Sequence, residues 1–145
     1  MKWWVLERPA PTPTEETGPF WEGVDRKELL LQHCPHCGMW QYPPAACCTR
    51  CLTEDIVWRR AGGRGSVFSF AVYHKAFHPA FADEVPYVVA DIELDEGPII
   101  CSNVVGCPPG DVFVGMRVGV VFEIVGERLM LPRFAPDSSG GEGAR

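Results

Sequence analysis

The chain has 145 residues, of which 46% are hydrophobic and 22% charged, the balance of one ordinary globular domain. Nineteen acidic and thirteen basic side chains give a net charge of -6, which disfavours nucleic acid and anionic membranes as partners because their phosphates repel an acidic protein. The apolar run at residues 3–6 is too short for a signal-peptide core, and no run approaches the roughly 18 apolar residues of a membrane span. We therefore expect a cytoplasmic protein with no membrane segment, in a compartment where thiols stay reduced.

The N-terminal region predicts an arm followed by a short helix. Residues 1–18 are rich in proline and threonine, which disfavour a helix and predict an extended arm. Pro19 suits a first helical position, and the stretch 19–30, PFWEGVDRKELL, predicts about two to three helical turns. Phe20, Trp21 and Val24 would share one face of this helix, which Gly23 weakens.

Residues 31–60 contain two Cys-x-x-Cys pairs between short strand-like runs. Each pair turns two sulfurs toward one point, and a short hairpin would bring the two points together. We predict a zinc ribbon in which one structural Zn²⁺ is bound by Cys34, Cys37, Cys48 and Cys51. A site of four thiolates is structural because it leaves no open position for water or substrate.

Other ligand sets are chemically possible in the same region. Cys47 has a longer spacing to Cys51 than Cys48 has, so we expect it not to bind metal. His33 and His36 are alternative ligands, but with four well-spaced thiols we expect both to face solvent. Iron in a rubredoxin-like electron carrier is a further alternative, weakened because Leu52, not glycine, follows the second pair.

Residues 61–136 read as one strand after another. The run YVVADIEL predicts a strand with one apolar face, formed by Val88, Ala90, Ile92 and Leu94. Turn signals at DEGP, GCPPGD and VGER separate such runs. Five short strands without a helical period predict a small closed or nearly closed barrel. Residues 137–145 predict a flexible tail.

These features, in this order, resemble a known family. They are the Phe20-Trp21 helix, a Cys-x-x-Cys-Gly pair, a Tyr-Pro-Pro turn, the second pair, and barrel segments PYVVADIELDEG and VGMRVGVVFE. Together they are similar to the acyl-CoA-associated zinc-ribbon/OB-fold family, called domain of unknown function 35, over about residues 19–136. The resemblance implies a mainly β fold with an N-terminal helix, a rubredoxin-like zinc ribbon and a C-terminal OB-fold β-barrel. The family's turn usually reads Pro-Pro-Arg, so any anion contact of that arginine does not carry over to Pro43-Pro44-Ala45.

The resemblance also implies a function. Members look like non-catalytic accessory subunits of thiolase-superfamily enzymes, whether thiolases, acyltransferases, hydroxymethylglutaryl-CoA synthase-like enzymes or lipid-transfer-type aldolases, in acyl or steroid side-chain metabolism. We accordingly expect a hetero-oligomer that uses acyl-CoA, with the catalytic residues on the partner. The chain itself has no nucleophile-elbow motif, and we expect Cys101 to be a core thiol and Cys107 a loop thiol. A stand-alone CoA-dependent enzyme and a single-stranded nucleic-acid-binding protein are the alternatives.

Basic and aromatic residues suggest where CoA and a partner would bind. Arg50, Arg59, Arg60 and Arg64 form the densest basic cluster, and arginine forks suit the phosphates of CoA, although a solvated turn would look the same. Lys75, in the aromatic loop 74–86, is a further CoA candidate. Aromatic residues outside the barrel are expected to form the partner-binding face, namely Trp3, Trp4, Phe20, Trp21 and Trp40.

Overall fold

The computed structural model describes residues 8–126 and 128–137, in which there are one α-helix and eight strands. These elements are α1 (Gly18–Asp25), β1 (Leu30–His33), β2 (Trp40–Gln41), β3 (Val57–Arg60), β4 (Arg64–Tyr73), β5 (Tyr87–Leu94), β6 (Ile99–Val104), β7 (Arg117–Val125) and β8 (Leu129–Pro136). Short 3-10 turns occur at Pro79–Phe81 and Pro109–Asp111. The mainly β class expected from the sequence is confirmed.

The first three strands form an antiparallel sheet in the order β2-β1-β3. His33 on the central strand lies opposite Trp40 on one side and Val57 on the other. One cysteine pair follows β1 directly, and the second lies in the long connection between β2 and β3. The sheet therefore presents both pairs at the same end of its central strand.

The remaining five strands close into a barrel in the order β4-β5-β6-β8-β7, as expected for an OB fold. Strand β5 shows the predicted alternation, since its inward residues Val88, Ala90, Ile92 and Leu94 are all buried. Strands β6 and β8 run parallel and share one registered pair, Val104 with Phe134. The barrel is thus closed, but its β6–β8 seam is short.

Helix α1 is shorter than the predicted stretch 19–30. It ends at Asp25, and Lys27 has a φ of 60°, a left-handed conformation that interrupts the helix. A Cβ on Gly23 would lie 2.7 Å from Leu30 Cγ, so glycine permits the close return of the chain into β1. The leucines that we assigned to the helix belong to the approach and start of a strand. In the described residues no helix is long and apolar enough to cross a membrane.

Helix α1 joins the ribbon sheet to the barrel. It contacts both β1 and β8, and Phe20 is 4% exposed while Val24 is fully buried. These side chains belong to one continuous apolar cluster with Leu31 of the ribbon and Phe134 of the barrel. The two modules therefore share a core, and burial of the helix face stabilises both.

The two ends of the described chain are tied to the barrel. Residues 8–14 have no regular structure, as expected of an arm, but the guanidinium of Arg8 forms an ion pair with Glu84 and lies 4.6 Å from the ring centre of Phe81. At the other end Asp137 N donates to Arg117 O at 3.0 Å. Residues 1–7 and the rest of the predicted tail lie outside the described residues.

Two strand glycines provide a matched test of barrel packing. A Cβ at Gly65 would overlap the backbone oxygen of Glu93 on the neighbouring strand, whereas a Cβ at Gly119 would meet nothing within 4 Å. We expect Gly65→Ala to lower the free energy of unfolding by about 1–3 kcal/mol through overpacking. Gly119→Ala should leave it unchanged or raise it by about 0.4–1 kcal/mol. Urea unfolding followed by tryptophan fluorescence measures both, and equal midpoints for the two variants would contradict this packing.

Candidate functional site

The two cysteine pairs form equivalent turns. In the first, Gly38 N donates to Cys34 O at 2.8 Å, and in the second Leu52 N donates to Cys48 O at 2.9 Å. The residue closing each turn is left-handed, with a φ of 76° at Gly38 and 66° at Leu52. This conformation is easy for glycine and uncommon for leucine. The leucine therefore does not prevent the second turn from adopting the shape of the first, and it is no argument against any particular metal.

The turns bring four sulfurs together. The sulfurs of Cys34, Cys37, Cys48 and Cys51 all lie within 4.8 Å of one another. Cys34 Sγ is 3.5 Å from Cys51 Sγ, and Cys37 Sγ is 3.6 Å from Cys48 Sγ. Four sulfurs arranged tetrahedrally at the zinc–sulfur distance of about 2.3 Å would be about 3.8 Å apart. The donor set and its geometry therefore fit one Zn²⁺.

Backbone amides prepare one of the thiols for metal binding. The N–H groups of Cys51 and Arg50 both approach Cys48 Sγ at 3.4 Å and lower the pKa of that thiol to about 6. Four thiolates this close would repel one another strongly, so their joint ionisation requires a cation between them. The arrangement can hold a metal, and four thiolates around it leave no open position for water or substrate.

The alternative ligands are directed elsewhere. His36 Nε2 lies 3.1 Å from Asp55 Oδ2, and this side chain is exposed as expected. His33 is half-buried and not solvent-facing, because its ring packs on Trp40 with 5.0 Å between ring centres. Among the described residues the four-sulfur group does not include Cys47.

Two buried glutamines order the loop that carries the second turn, a role that our sequence reasoning missed. Gln41 Nε2 donates to Gln32 Oε1 at 2.7 Å and to Cys47 O at 3.1 Å. Gln32 exchanges hydrogen bonds with the backbone of Ala45, and Gln41 Oε1 accepts from Thr49 N at 3.0 Å. Cysteine spacing gives no sign of this network. The only available signal was a glutamine in each of two short strand-like runs, where a buried amide must find backbone partners.

Part of the predicted basic cluster borders a cleft between the ribbon and the barrel. The cleft has a volume of about 620 Å³ and is lined by Trp40, Arg50 and the β5–β6 turn. The guanidinium of Arg59 lies 5.4 Å from the ring centre of Trp40. Arg60 is exposed on the neighbouring position of β3, and side chains of adjacent strand residues point to opposite faces.

Of the other two CoA candidates, Arg64 lies next to the β5–β6 turn that lines this cleft, since Asp95 N donates to Arg64 O at 2.9 Å, whereas Lys75 lies apart from it. Arg64 forms an ion pair with Asp137 at 3.3 Å. Lys75 follows the far end of β4, a strand of 10 residues, and its ammonium lies 5.4 Å from the Phe77 ring centre. At about 3.3 Å per residue the strand separates Arg64 from Lys75 by roughly 30 Å. The five basic residues therefore do not form one cluster.

The predicted aromatic partner face is wrong for Phe20 and stays a prediction for the other residues. Trp3 and Trp4 lie outside the described residues. Phe20 is buried in the core, and Trp21 and Trp40 are half-buried against it. The helix supplies core packing, so it is not a spare apolar face.

A different apolar surface is exposed on the barrel. Phe68, Phe113 and Val114 are 55%, 59% and 65% exposed. Their segments are adjacent, because Gly115 N donates to Val67 O at 2.7 Å and Val67 N donates to Met116 O at 3.0 Å. We call Phe68, Phe113 and Val114 the barrel patch. Its place beside a β-bulge of β4 could not be read from strand alternation.

Comparison with known proteins identifies the family. Residues 21–57 match the family model described as ChsH2, rubredoxin-like zinc ribbon domain, and residues 58–123 match that described as ChsH2, C-terminal OB-fold domain. A DUF35 domain-containing scaffold protein of Methanocaldococcus jannaschii is 33% identical over 109 residues, covering 74% of this chain and 77% of that protein. The chain belongs to the DUF35 family. The resemblance stated from the sequence is thereby confirmed, as are its zinc-ribbon and OB-fold parts.

Other relatives of this DUF35 protein have enzyme names. A probable enoyl-CoA hydratase alpha subunit of Thermomonospora curvata is 36% identical over 129 residues, which are 89% of this chain and 40% of that protein. The 3-oxo-4,17-pregnadiene-20-carboxyl-CoA hydratase alpha subunit of Mycobacterium tuberculosis is 33% identical over 112 residues, 77% of this chain and 35% of that one. The DUF35 chain thus spans well under half the length of these two relatives.

One solved structure is similar over almost its whole chain. A chain of the structure described as Ltp2-ChsH2(DUF35) aldolase superposes with a TM-score of 0.79 at 36% identity, covering 87% of this chain and 98% of that chain. The similarity extends over the ribbon and the barrel together, since neither alone could reach that coverage. The relative placement of the two modules is therefore a shared feature.

The four-sulfur site leads to a metal-binding prediction with an adjacent control. The purified DUF35 protein should contain about one zinc per chain and be colourless, because zinc has no redox chemistry. Serine at Cys34, Cys37, Cys48 or Cys51 should each remove the metal and destabilise the ribbon. Cys47→Ser should retain it. Elemental analysis measures the metal content, and equal zinc loss in the Cys47→Ser variant, or a coloured iron protein, would overturn this assignment.

Proposed function

We propose that this DUF35 protein is a non-catalytic accessory subunit that binds and supports a thiolase-like enzyme, a thiolase, acyltransferase or lipid-transfer-type aldolase, in acyl or steroid side-chain metabolism. The observation that carries the proposal is the similarity to the Ltp2-ChsH2(DUF35) aldolase chain over 98% of that chain's length. The hydratase-subunit names of two relatives support the same CoA-ester chemistry. In this proposal the ribbon holds one structural Zn²⁺ and the protein works in a cytoplasmic hetero-oligomer.

The two barrel thiols support an accessory role over stand-alone catalysis. Cys101 is exposed on the outer face of β6, so our expectation of a core thiol was wrong. Its pKa is raised by burial and by the neighbouring Asp91 carboxylate, and burial followed by Asp111 raises the pKa of Cys107. A nucleophilic cysteine needs a lowered pKa, because the thiolate is the reactive form. The surroundings of Cys101 and Cys107 raise the pKa of each thiol instead, which disfavours the thiolate.

The barrel patch is our candidate for the enzyme-binding surface. Three neighbouring apolar side chains at more than half exposure are what an obligate subunit presents when its partner is removed. Ile124, on β7, is 64% exposed and therefore offers a control of matching exposure outside the patch.

A pull-down with the thiolase-like enzyme tests this surface. Phe113→Ser combined with Val114→Ser should abolish co-purification, because truncating buried aromatic and aliphatic anchors weakens an interface most. Ile124→Ser should bind like the unmodified protein. All variants should retain zinc and the same unfolding midpoint, since the altered side chains are exposed in the free chain. If the patch variant binds normally while Ile124→Ser does not, the interface lies on β7 instead.

We further propose that the ribbon–barrel cleft contacts the nucleotide end of acyl-CoA in the complex. Trp40 and Arg50, which line the cleft, offer an aromatic ring for a base and a guanidinium for a phosphate, and Arg59 beside Trp40 offers a second guanidinium. Arg60 and Arg64 are less suited, since Arg60 is on the alternate strand position and Arg64 pairs with Asp137.

Kinetics with two thioesters test the CoA contact. Arg50→Gln and Arg59→Gln should raise the KM for the full CoA thioester by up to about tenfold with little change in kcat, the pattern of lost uniform binding. The effect should shrink with added salt. The same acyl group on a pantetheine stub without nucleotide phosphates should react as before. Arg26→Gln, at the end of α1, and Lys75→Gln, at the far end of β4, should change neither KM. If the Arg50 and Arg59 variants prefer full CoA as strongly as the unmodified protein does, the nucleotide is bound by the partner alone and the proposed contact is wrong.

A further inference from the structure

The second half of β4 has an open edge. The ladder between β4 and β7 covers residues 64–66, and Val67 then bonds to the segment that precedes β7. From residue 68 to residue 73 the strand pairs with β5 on one side. Within residues 8–126 and 128–137, no strand pairs with the other side of this stretch. The second half of β4 is therefore an edge strand in a barrel that is closed elsewhere.

The direction of the backbone groups shows what this edge offers. Leu94 N donates to Pro98 O at 2.9 Å across the turn between β5 and β6. Because backbone groups alternate in direction along a strand, the even-numbered residues of β5 bond to β6 and the odd-numbered ones to β4. Phe70 and Val72 lie opposite even-numbered residues of β5, so their N–H and C=O groups point away from β5. In the described part of the chain these four groups have no partner.

The usual protections of an edge strand are missing from this stretch. Natural edge strands discourage pairing by charged side chains, prolines or bulges. Residues 68–73 read FSFAVY and contain neither a charge nor a proline. The β-bulge lies between Val67 and Ser69, at the start of the stretch, and leaves the following pairs in regular register. Phe70 is 37% exposed and Ala71 is exposed, so another strand can approach the edge.

The open edge is complementary to itself. When two copies lie antiparallel with Ala71 opposite Ala71, Phe70 of each copy lies opposite Val72 of the other. These are the residues whose backbone groups face outward, so a two-fold axis at Ala71 gives four inter-strand hydrogen bonds. Ala71 then forms a non-hydrogen-bonded pair, in which the Cα atoms are about 4.5 Å apart and a small side chain fits. The Phe70–Val72 contacts add aromatic and β-branched cross-strand pairs.

Charges do not oppose this pairing. Lys75, which follows β4, is the charged residue nearest to Ala71 along the chain. In the antiparallel register the two copies of Lys75 lie at opposite ends of the paired strands, roughly 26 Å apart if extended. This separation exceeds the Debye length of about 8 Å at physiological ionic strength, so their repulsion is screened. A second copy therefore matches the edge in hydrogen bonds, shape and charge.

We propose that two copies of this chain pair antiparallel through the open edge of β4, with Ala71 on the two-fold axis. Strands β4 and β5 of the two copies then form one continuous sheet across the dimer. The proposal goes beyond the accessory role and does not depend on it, because Phe113 and Val114 of the barrel patch lie outside the paired strands. Since the paired stretch is short, we expect a weak dimer that forms with rising concentration.

Sedimentation equilibrium of the zinc-loaded full chain, from about 1 μM to 1 mM, tests this proposal. We expect a reversible monomer–dimer equilibrium. Val72→Pro removes an N–H that faces the open edge and keeps the ladder with β5, so it should weaken the dimer by about tenfold or more. Its unfolding midpoint and zinc content should stay normal, which separates a lost contact from a lost fold.

A charge on the axis provides a second variant. Ala71→Lys places two ammonium groups directly opposite each other, so the dimer should be lost at low salt and should partly return with added salt. Ile124→Lys makes the same change of charge at an exposed residue of β7 and should dimerise like the unmodified protein.

The proposal is overturned if the unmodified chain stays monomeric at about 1 mM, or if Val72→Pro and Ala71→Lys dimerise as tightly as it does. A monomeric chain whose Val72→Pro variant also loses the enzyme in the pull-down would mean that a strand of the enzyme pairs with this edge and that self-pairing is wrong. Because sedimentation uses one purified chain, failure of the barrel-patch pull-down would leave its result unchanged.

Discussion

Burial of one face of α1 between the ribbon sheet and the barrel is the interaction on which the arrangement of this protein depends. The helix contacts β1 on one side and β8 on the other, and its side chains Phe20 and Val24 are part of the core that the two modules share. A three-stranded sheet of this size has little apolar surface to bury by itself. Sharing a core with the barrel compensates for that, and it fixes the cleft between them, where Trp40 and Arg50 lie.

The structural features that could be predicted from the sequence are those governed by local geometry. Two Cys-x-x-Cys pairs predict the meeting of four sulfurs, because each spacing determines its own turn and only a short hairpin is needed to join them. The strand from Tyr87 to Leu94 was predictable for a similar reason, since alternation of period two leaves one register that buries all its apolar residues. In both cases the information lies within fewer than twenty residues of chain.

The structural features that could not be predicted from the sequence depend on contacts between distant segments of the chain. Leu29 and Leu30 suit a helix or a strand equally well, and the left-handed conformation of Lys27, which ends the helix before them, is a property of the folded chain. Arginines close in sequence diverge because successive strand residues face opposite ways. The exposure of Phe68 is likewise a property of the assembled barrel, with no counterpart in spacing or composition.

The short seam between β6 and β8 has a mechanical consequence. In the described part of the chain Val104 and Phe134 form the one registered pair there, with a further bond from Val105 N to Phe134 O at 2.8 Å. Every other junction of the barrel is a longer antiparallel ladder. The barrel is therefore a curled five-stranded sheet that is closed by its shortest strand pairing, between β6 and β8. With Ser102 Oγ donating to Pro132 O at 2.8 Å as a further bond, this junction still has fewer paired backbone groups than the ladders, so we expect local opening of the barrel to begin there.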